Sequence, residues 1–210
     1  MSGDCFELLK RGLRELGLPA SAGQLQQLRV YLQELERWNR VYGFVKAAGR
    51  ELVVRHLLDS LSGYASLSRI ARREQVLDVG SGAGFPGFPL AVFLTDSRFT
   101  LLERSAKKAA FLRNVAILTR LQNLSVEEKR LKDLERRFDL VLLRAFGPLQ
   151  REIPRLRKLL KPGGSIAAYK GRLARIHAEL EAAGISPGQA LVEALQVPFL
   201  EEERHLVVLA

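Results

Sequence analysis

The sequence predicts an α/β protein built on a doubly wound, mostly parallel sheet, and three observations carry that prediction. From Gln75 onward, short apolar runs alternate with amphipathic stretches of helical period, the order expected of βαβ units. The first run, Val76-Leu77-Asp78-Val79, enters a glycine-rich turn that lasts to Gly87. Before Gln75 only helical periodicity is found, so helices precede the sheet.

The elements follow in order. Phe6, Leu9, Leu13 and Leu16 share one face of a helix from Asp4 to Leu16, which stops at Gly17 and Pro19. Ser21 and Gln24 form a capping box that opens a longer helix through Leu25, Leu28, Leu32, Leu35 and Trp38, ending near Gly43. A third helix is expected over Glu51 to Leu67. After the first strand, Pro89 to Leu94 reads as a helix, Phe99 to Glu103 as a strand, and Ser105 to Arg120 as a basic helix. A weak strand lies near Leu124 to Glu127, and Phe138 to Leu143 is a fourth. Ile153 to Leu160 is expected to be helical, Ser165 to Tyr169 a fifth strand after the Pro162-Gly163-Gly164 turn, and Leu173 to Ala183 a helix. Leu191 to Val197 and His205 to Leu209 form a closing antiparallel pair. A chain of 210 residues supports one well-buried core, so the expected organisation is a helical extension over residues 1–69 packed on a sheet domain over residues 70–210.

Composition narrows the function. No stretch of about 18 apolar residues occurs, which argues against a membrane span. The N-terminus lacks the basic and apolar regions of a signal peptide, and a single cysteine, Cys5, allows no internal disulfide. Both point to a cytoplasmic protein. No Cys/His cluster has metal-ligand spacing, so no metal is expected. The net charge of +10 points to a polyanionic partner. That charge is concentrated: Arg104–Arg137 carries +6 and Arg151–Arg175 carries +7, whereas Ile176–Glu203 has six acids and no Lys or Arg.

The turn Asp78-Val79-Gly80-Ser81-Gly82-Ala83-Gly84-Phe85-Pro86-Gly87 lies where open α/β sheets bind ligands. Asp78 would orient the turn or meet a cationic ligand group. Glu103 ends the second strand 19 residues after Gly84, the spacing at which an acid accepts from ribose hydroxyls. Gly82, Gly84 and Gly87 also match the dinucleotide fingerprint, but Gly80 already occupies the place of its first glycine. Pro86, moreover, removes a backbone N–H that a pyrophosphate would need.

The turn resembles motif I of class I methyltransferases, a Rossmann-like fold. Leu77 to Gly87 followed by Pro89-Leu90 resembles the GidB/RsmG family in particular, bacterial enzymes that methylate N7 of a guanine in the 530 loop of 16S ribosomal RNA. Trp38-Asn39 with Tyr42, Arg55-His56-Leu57-Leu58-Asp59-Ser60-Leu61, Arg144-Ala145, Tyr169-Lys170-Gly171 and Glu203 to Val208 extend the resemblance over nearly the whole chain. The chain departs from the family at Gly43, Phe44 and Val45, at Leu143, and at Lys132, which replaces an acid.

The resemblance implies S-adenosyl-L-methionine as cofactor, with Asp78, Gly80, Ser81, Gly82, Gly84, Phe85, Glu103 and Arg144 at its site. The main chain of Leu131 and Lys132 would meet the adenine, with Asp133 nearby. Arg144, at the end of the fourth strand, is the expected catalytic residue, donating to guanine O6 or a phosphate. Lys170 and Arg172 would meet the RNA backbone; His56 and Asp59, at i and i+3, either join them or tie the N-terminal helices to the core. Trp38 and Tyr42, at i and i+4, could stack on a base, but core packing is the favoured reading. The implied partner is 16S ribosomal RNA or a small-subunit precursor, bound by a monomer. A non-catalytic ribosome-assembly module and a small-molecule methyltransferase remain alternative readings.

Overall fold

The computed structural model describes residues 3–186 and 188–210. Helices α1 (Gly3–Glu15) and α2 (Ala22–Tyr42) lead the chain. Ser21 accepts from the Gln24 N–H while the Gln24 side chain accepts from the Ser21 N–H, the reciprocal cap expected at α2. The third helix is less regular than its apolar period suggests. It runs as α3 (Gly49–Leu52), a π-helical segment (Val53–Leu58) and α4 (Asp59–Ser62), and it breaks at Gly63 before α5 (Tyr64–Ser68). At Gly63 a Cβ would sit within 2.8 Å of the Tyr169 ring, so the chain passes too close to the sheet for a side chain.

The sheet domain contains β1 (Gln75–Val79), α6 (Gly87–Phe93), β2 (Arg98–Leu102), α7 (Ala106–Leu118), β3 (Leu124–Glu127) and β4 (Phe138–Arg144). It continues through α8 (Leu149–Arg157), β5 (Leu160–Lys170), α9 (Leu173–Ala182), β6 (Ala190–Ala194) and β7 (His205–Leu209). The strand order is β3-β2-β1-β4-β5-β7-β6, parallel except at β7. Two expectations are corrected here. α8 begins at Leu149, not Ile153, because Leu149, Ile153 and Leu156 are all buried on one face, and that burial outweighs the N–H missing at Pro154. β5 begins at Leu160 and absorbs the Pro162-Gly163-Gly164 turn as an irregularity, the register stepping from Phe138–Leu160 to Leu140–Ser165.

Alternation along the strands sorts the core into two layers. Val76, Leu140 and Leu142 face a cluster shared with α1 to α7, from Phe6 through Leu35 and Leu57 to Phe111. Leu77, Val141 and Leu143 face a smaller cluster with α8 and α9. The N-terminal helices thus share a core with the sheet. Val79 pairs with Leu102 on one side and Leu143 on the other, so Gly80, Glu103 and Arg144 emerge side by side at one edge. The chain reverses direction across the sheet between β1 and β4, the place where such sheets bind ligands.

Candidate functional site

Asp78 is the penultimate residue of β1 and is 1% exposed. Its Oδ2 accepts from the Gly87 N–H at 3.0 Å, whereas Oδ1 is buried without a hydrogen-bond partner. Burial pushes the carboxyl up to about 7, against the pull of the Gly87 N–H. An unpaired buried acceptor is costly unless a ligand donor completes it. Gly82 adopts φ +60, and a Cβ there would find no atom nearer than 3.9 Å, so the turn opens onto free space. The Gly82 N–H donates to Glu103 Oε2 and the Ser105 N–H to Oε1, both at 2.9 Å. Glu103 therefore braces the turn, with half of its roughly four acceptor positions unused. These features fit a cationic, hydroxyl-bearing ligand such as S-adenosylmethionine.

Tyr31, which the sequence did not flag, seals the turn from behind. Its hydroxyl donates to the Ala83 carbonyl at 2.7 Å and its ring stacks on Phe88 at 4.2 Å. The signal was present: a tyrosine on the buried face of α2 needs an acceptor for its hydroxyl. Phe85 is itself packed between Tyr31 (5.7 Å) and His56 (5.1 Å).

Arg144 departs from expectation. Its Nη1 meets Asp59 Oδ2 at 3.3 Å and donates to Ser60 Oγ and the His56 carbonyl; Nη2 donates to the Arg55 carbonyl and to His56 Nδ1. The guanidinium is thus held by the π-helical segment and the start of α4. These partners are protein groups, and the side chain also lines the adjoining cleft. Because an arginine only donates, His56 Nδ1 must be the acceptor and Nε2 must carry the proton. Burial, then the neighbouring Arg144 and Arg55, lowers the His56 pKa to about 4, so the ring is neutral. Asp59, 3% exposed, also receives Arg204 Nε at 3.0 Å. Through Arg144, His56 and Asp59 fasten the helices to β4.

A cleft of about 820 Å³ lies beside this network, at the ends of β4 and β5. Arg144, Lys170, Arg172, Arg175 and Arg204 line it, together with Asp59 and Glu179. Lys170 is held by Glu179 at 2.7 Å and by the Gly147 carbonyl, so it is less available to RNA than its position suggests. Arg172 is exposed, and no carboxylate lies within ion-pair distance of it among the described residues. Ala145, on the cleft wall, has φ 53, a strained conformation for a non-glycine residue.

A family model described as rRNA small subunit methyltransferase G matches residues 24–207. The chain belongs to this family. Similar proteins named ribosomal RNA small subunit methyltransferase G include one from Laribacter hongkongensis, 41% identical over 209 residues and covering 97% of both chains. Another, from Alkalilimnicola ehrlichii, is 39% identical and covers 99% of this chain and 93% of its own. Among solved structures, a predicted O-methyltransferase from Agrobacterium tumefaciens aligns at TM-score 0.56 and 22% identity, over 73% of this chain and 78% of its own. A tRNA (m1A58) methyltransferase from Aquifex aeolicus aligns at TM-score 0.56 and 16% identity, over 71% and 67%. Both share the class I fold. Family membership makes the chain a methyltransferase with S-adenosylmethionine as methyl donor.

The family's N-terminal signature has a structural use here. The Asn39 side chain brackets Val45, donating to its carbonyl and accepting from its N–H at 2.8 Å each, and Gly43 caps α2 at φ 60. Gly43, Phe44 and Val45 therefore fit the turn despite departing from the family pattern. Trp38 and Tyr42 pack with Phe44, and Trp38 also with Phe111. Leu131 and Lys132 lie on a 3₁₀ turn (Leu131–Asp133) and line a separate groove with Arg130, Arg155 and Lys158. Among the described residues no cluster could hold a metal ion, and no helix is long and apolar enough to cross a membrane.

Proposed function

We propose that this protein transfers the methyl group of S-adenosylmethionine to N7 of a guanine in the 530 loop of 16S ribosomal RNA. The observation that carries this reading is a juxtaposition at one sheet edge. The open glycine turn, backed by the unpartnered oxygen of Asp78, adjoins the cation-rich cleft at the ends of β4 and β5. In this reading Gly80, Ser81, Gly82, Gly84 and Phe85 form the cofactor's floor. Asp78 and the free lone pairs of Glu103 accept from its donors, and the main chain at Leu131 and Lys132 borders its adenine.

S-adenosylmethionine supplies an electrophilic methyl carbon on a sulfonium. Guanine N7 already carries an accessible lone pair, so the protein needs no general base. Its residues act by positioning and by electrostatics. Arg144 holds the wall of the cleft in place as a positioning residue, while Arg172 meets a phosphate. The partner is 16S RNA, free or in a small-subunit precursor, bound by a cytoplasmic monomer.

The test is transfer of tritiated methyl to 16S RNA and to small-subunit particles lacking the modification, followed by nucleotide mapping. Label at one guanine N7 of the 530 loop is the expected result. Label at another position, or none in RNA, would overturn the assignment.

A further inference from the structure

The two basic blocks of the sequence meet in space, in a groove that shares no lining residue with the cleft at the ends of β4 and β5. Arg130 and Lys132, from the first block, share a groove of about 660 Å³ with Arg155 and Lys158, from the second. Three leucines complete its lining, and none of the lining residues is acidic. Some surface cations elsewhere are paired, as Arg73 is with Asp96 and Arg113 with Glu128, and others, such as Arg172, are not; what sets this groove apart is that four cations converge on it with no acid in its lining. Here Arg155 alone has one, Glu152 at 3.7 Å. For Arg130, Lys132 and Lys158 no carboxylate lies within ion-pair distance among the described residues. Converging cations without counter-charges are unfavourable in the isolated protein, and a polyanion relieves them.

Helix α8 connects this groove to the substrate cleft. The helix starts beside Pro148 on the cleft wall and ends at the groove, nine residues later, or roughly 13 Å at 1.5 Å per residue. Its exposed side carries Arg151, Arg155 and Arg157, so cations continue from one end to the other.

We infer that the groove between the 3₁₀ turn and the end of α8 binds the sugar-phosphate backbone of the substrate RNA, outside the target nucleotide. The cleft takes the base to be modified; the groove holds flanking phosphates and fixes the path of the strand along α8. This rests on the RNA substrate proposed above.

The experiment is a salt titration of binding to naked 16S RNA and to the small-subunit particle. The parent is compared with the double variant Arg130→Gln/Lys158→Gln and with Arg14→Gln/Arg98→Gln, which removes equal charge elsewhere. Each phosphate contact contributes about 0.7–0.9 to the slope of log affinity against log salt. The groove variant should flatten that slope by roughly 1.5 on both targets, with cofactor affinity unchanged by calorimetry; the control should keep the parental slope. Parental slopes in the groove variant, with the parent itself binding and methylating RNA, would overturn the inference and leave the proposed function standing. Weakened binding to the particle alone would also overturn it, giving the groove to an acidic protein of the particle. A parent that binds no RNA would remove the reading on which the inference rests.

Discussion

Asp59 Oδ2 stands 3.3 Å from Arg144 Nη1, and its other oxygen 3.0 Å from Arg204 Nε, so one buried carboxylate joins the end of β4 to the chain entering β7. Removing one member leaves the others buried and unpaired, which typically costs about 3–5 kcal/mol. Asp59→Ala is expected to lower stability to urea by about that amount. In a double-mutant cycle with Arg144→Ala the two losses should be non-additive by at least about 1 kcal/mol. Additive losses would mean the pair does not act as a unit.

Two buried groups titrate with opposite sign in one pH window. The folded state keeps a proton on Asp78 up to about 7, whereas the unfolded chain loses it near 3.8, so this residue makes stability fall as pH rises between those values. His56 is neutral down to about 4 when folded but protonates near 6.5 when unfolded, so its contribution is present above 6.5 and lost as pH falls through that window. The parent should show a shallow net dependence from these two. Asp78→Asn should make stability rise with pH from about 4 to 6.5, and His56→Gln should make it fall, at up to about 1.4 kcal/mol per unit for the Asp78 contribution. Urea midpoints from pH 4 to 8 decide the point, and identical profiles would refute it.

The turn glycines should separate stability from ligand binding. A Cβ on Gly87 would meet Asp78 Oδ2 at 2.7 Å in the buried core, and one on Gly80 would meet the Phe146 ring at 2.7 Å. At Gly82 it would make only an ordinary contact with the Gly80 carbonyl at 3.9 Å, leaving the strain of φ +60 as the main cost. Gly87→Ala should be the most destabilising, by about 1–3 kcal/mol, and Gly82→Ala the least. Gly82→Val should abolish cofactor binding in a protein that still melts cooperatively. Retained binding, read by calorimetry, would move the cofactor away from this turn.

Tyr31→Phe removes one hydroxyl and keeps the stack on Phe88. The Ala83 carbonyl then loses its donor, at a cost of about 0.5–1.5 kcal/mol. Because that carbonyl belongs to the turn, cofactor affinity should fall along with stability. A stability loss with unchanged affinity would show that Tyr31 serves packing alone.

Much of this was readable in the residues. The Val76–Val79 run, the glycines after it and Glu103 were enough to place the carboxyl edge of the sheet, because strand alternation and turn chemistry are local properties. The partners of Arg144 were not readable for the opposite reason. Its position at the end of β4 is local, but its hydrogen-bond partners lie 84–89 residues earlier, on the π-helical segment and α4. Lys170 is a similar case, its charge answered by Glu179 on the next helix. The start of α8 was missed because its first turn is fixed by tertiary burial of Leu149, which the residues around it do not signal.

The chain has one tryptophan, and it stands at the seam between the leading helices and the sheet domain. Trp38 lies on α2, with its ring centroid 5.8 Å from Phe111 on α7 and 6.3 Å from Phe44. Its fluorescence therefore reports the local surroundings of α2, the contact with α7 among them. Circular dichroism, by contrast, averages over every helix. Comparing the two signals during denaturation gives a built-in optical gauge of whether the leading helices leave before the sheet does, with no label attached.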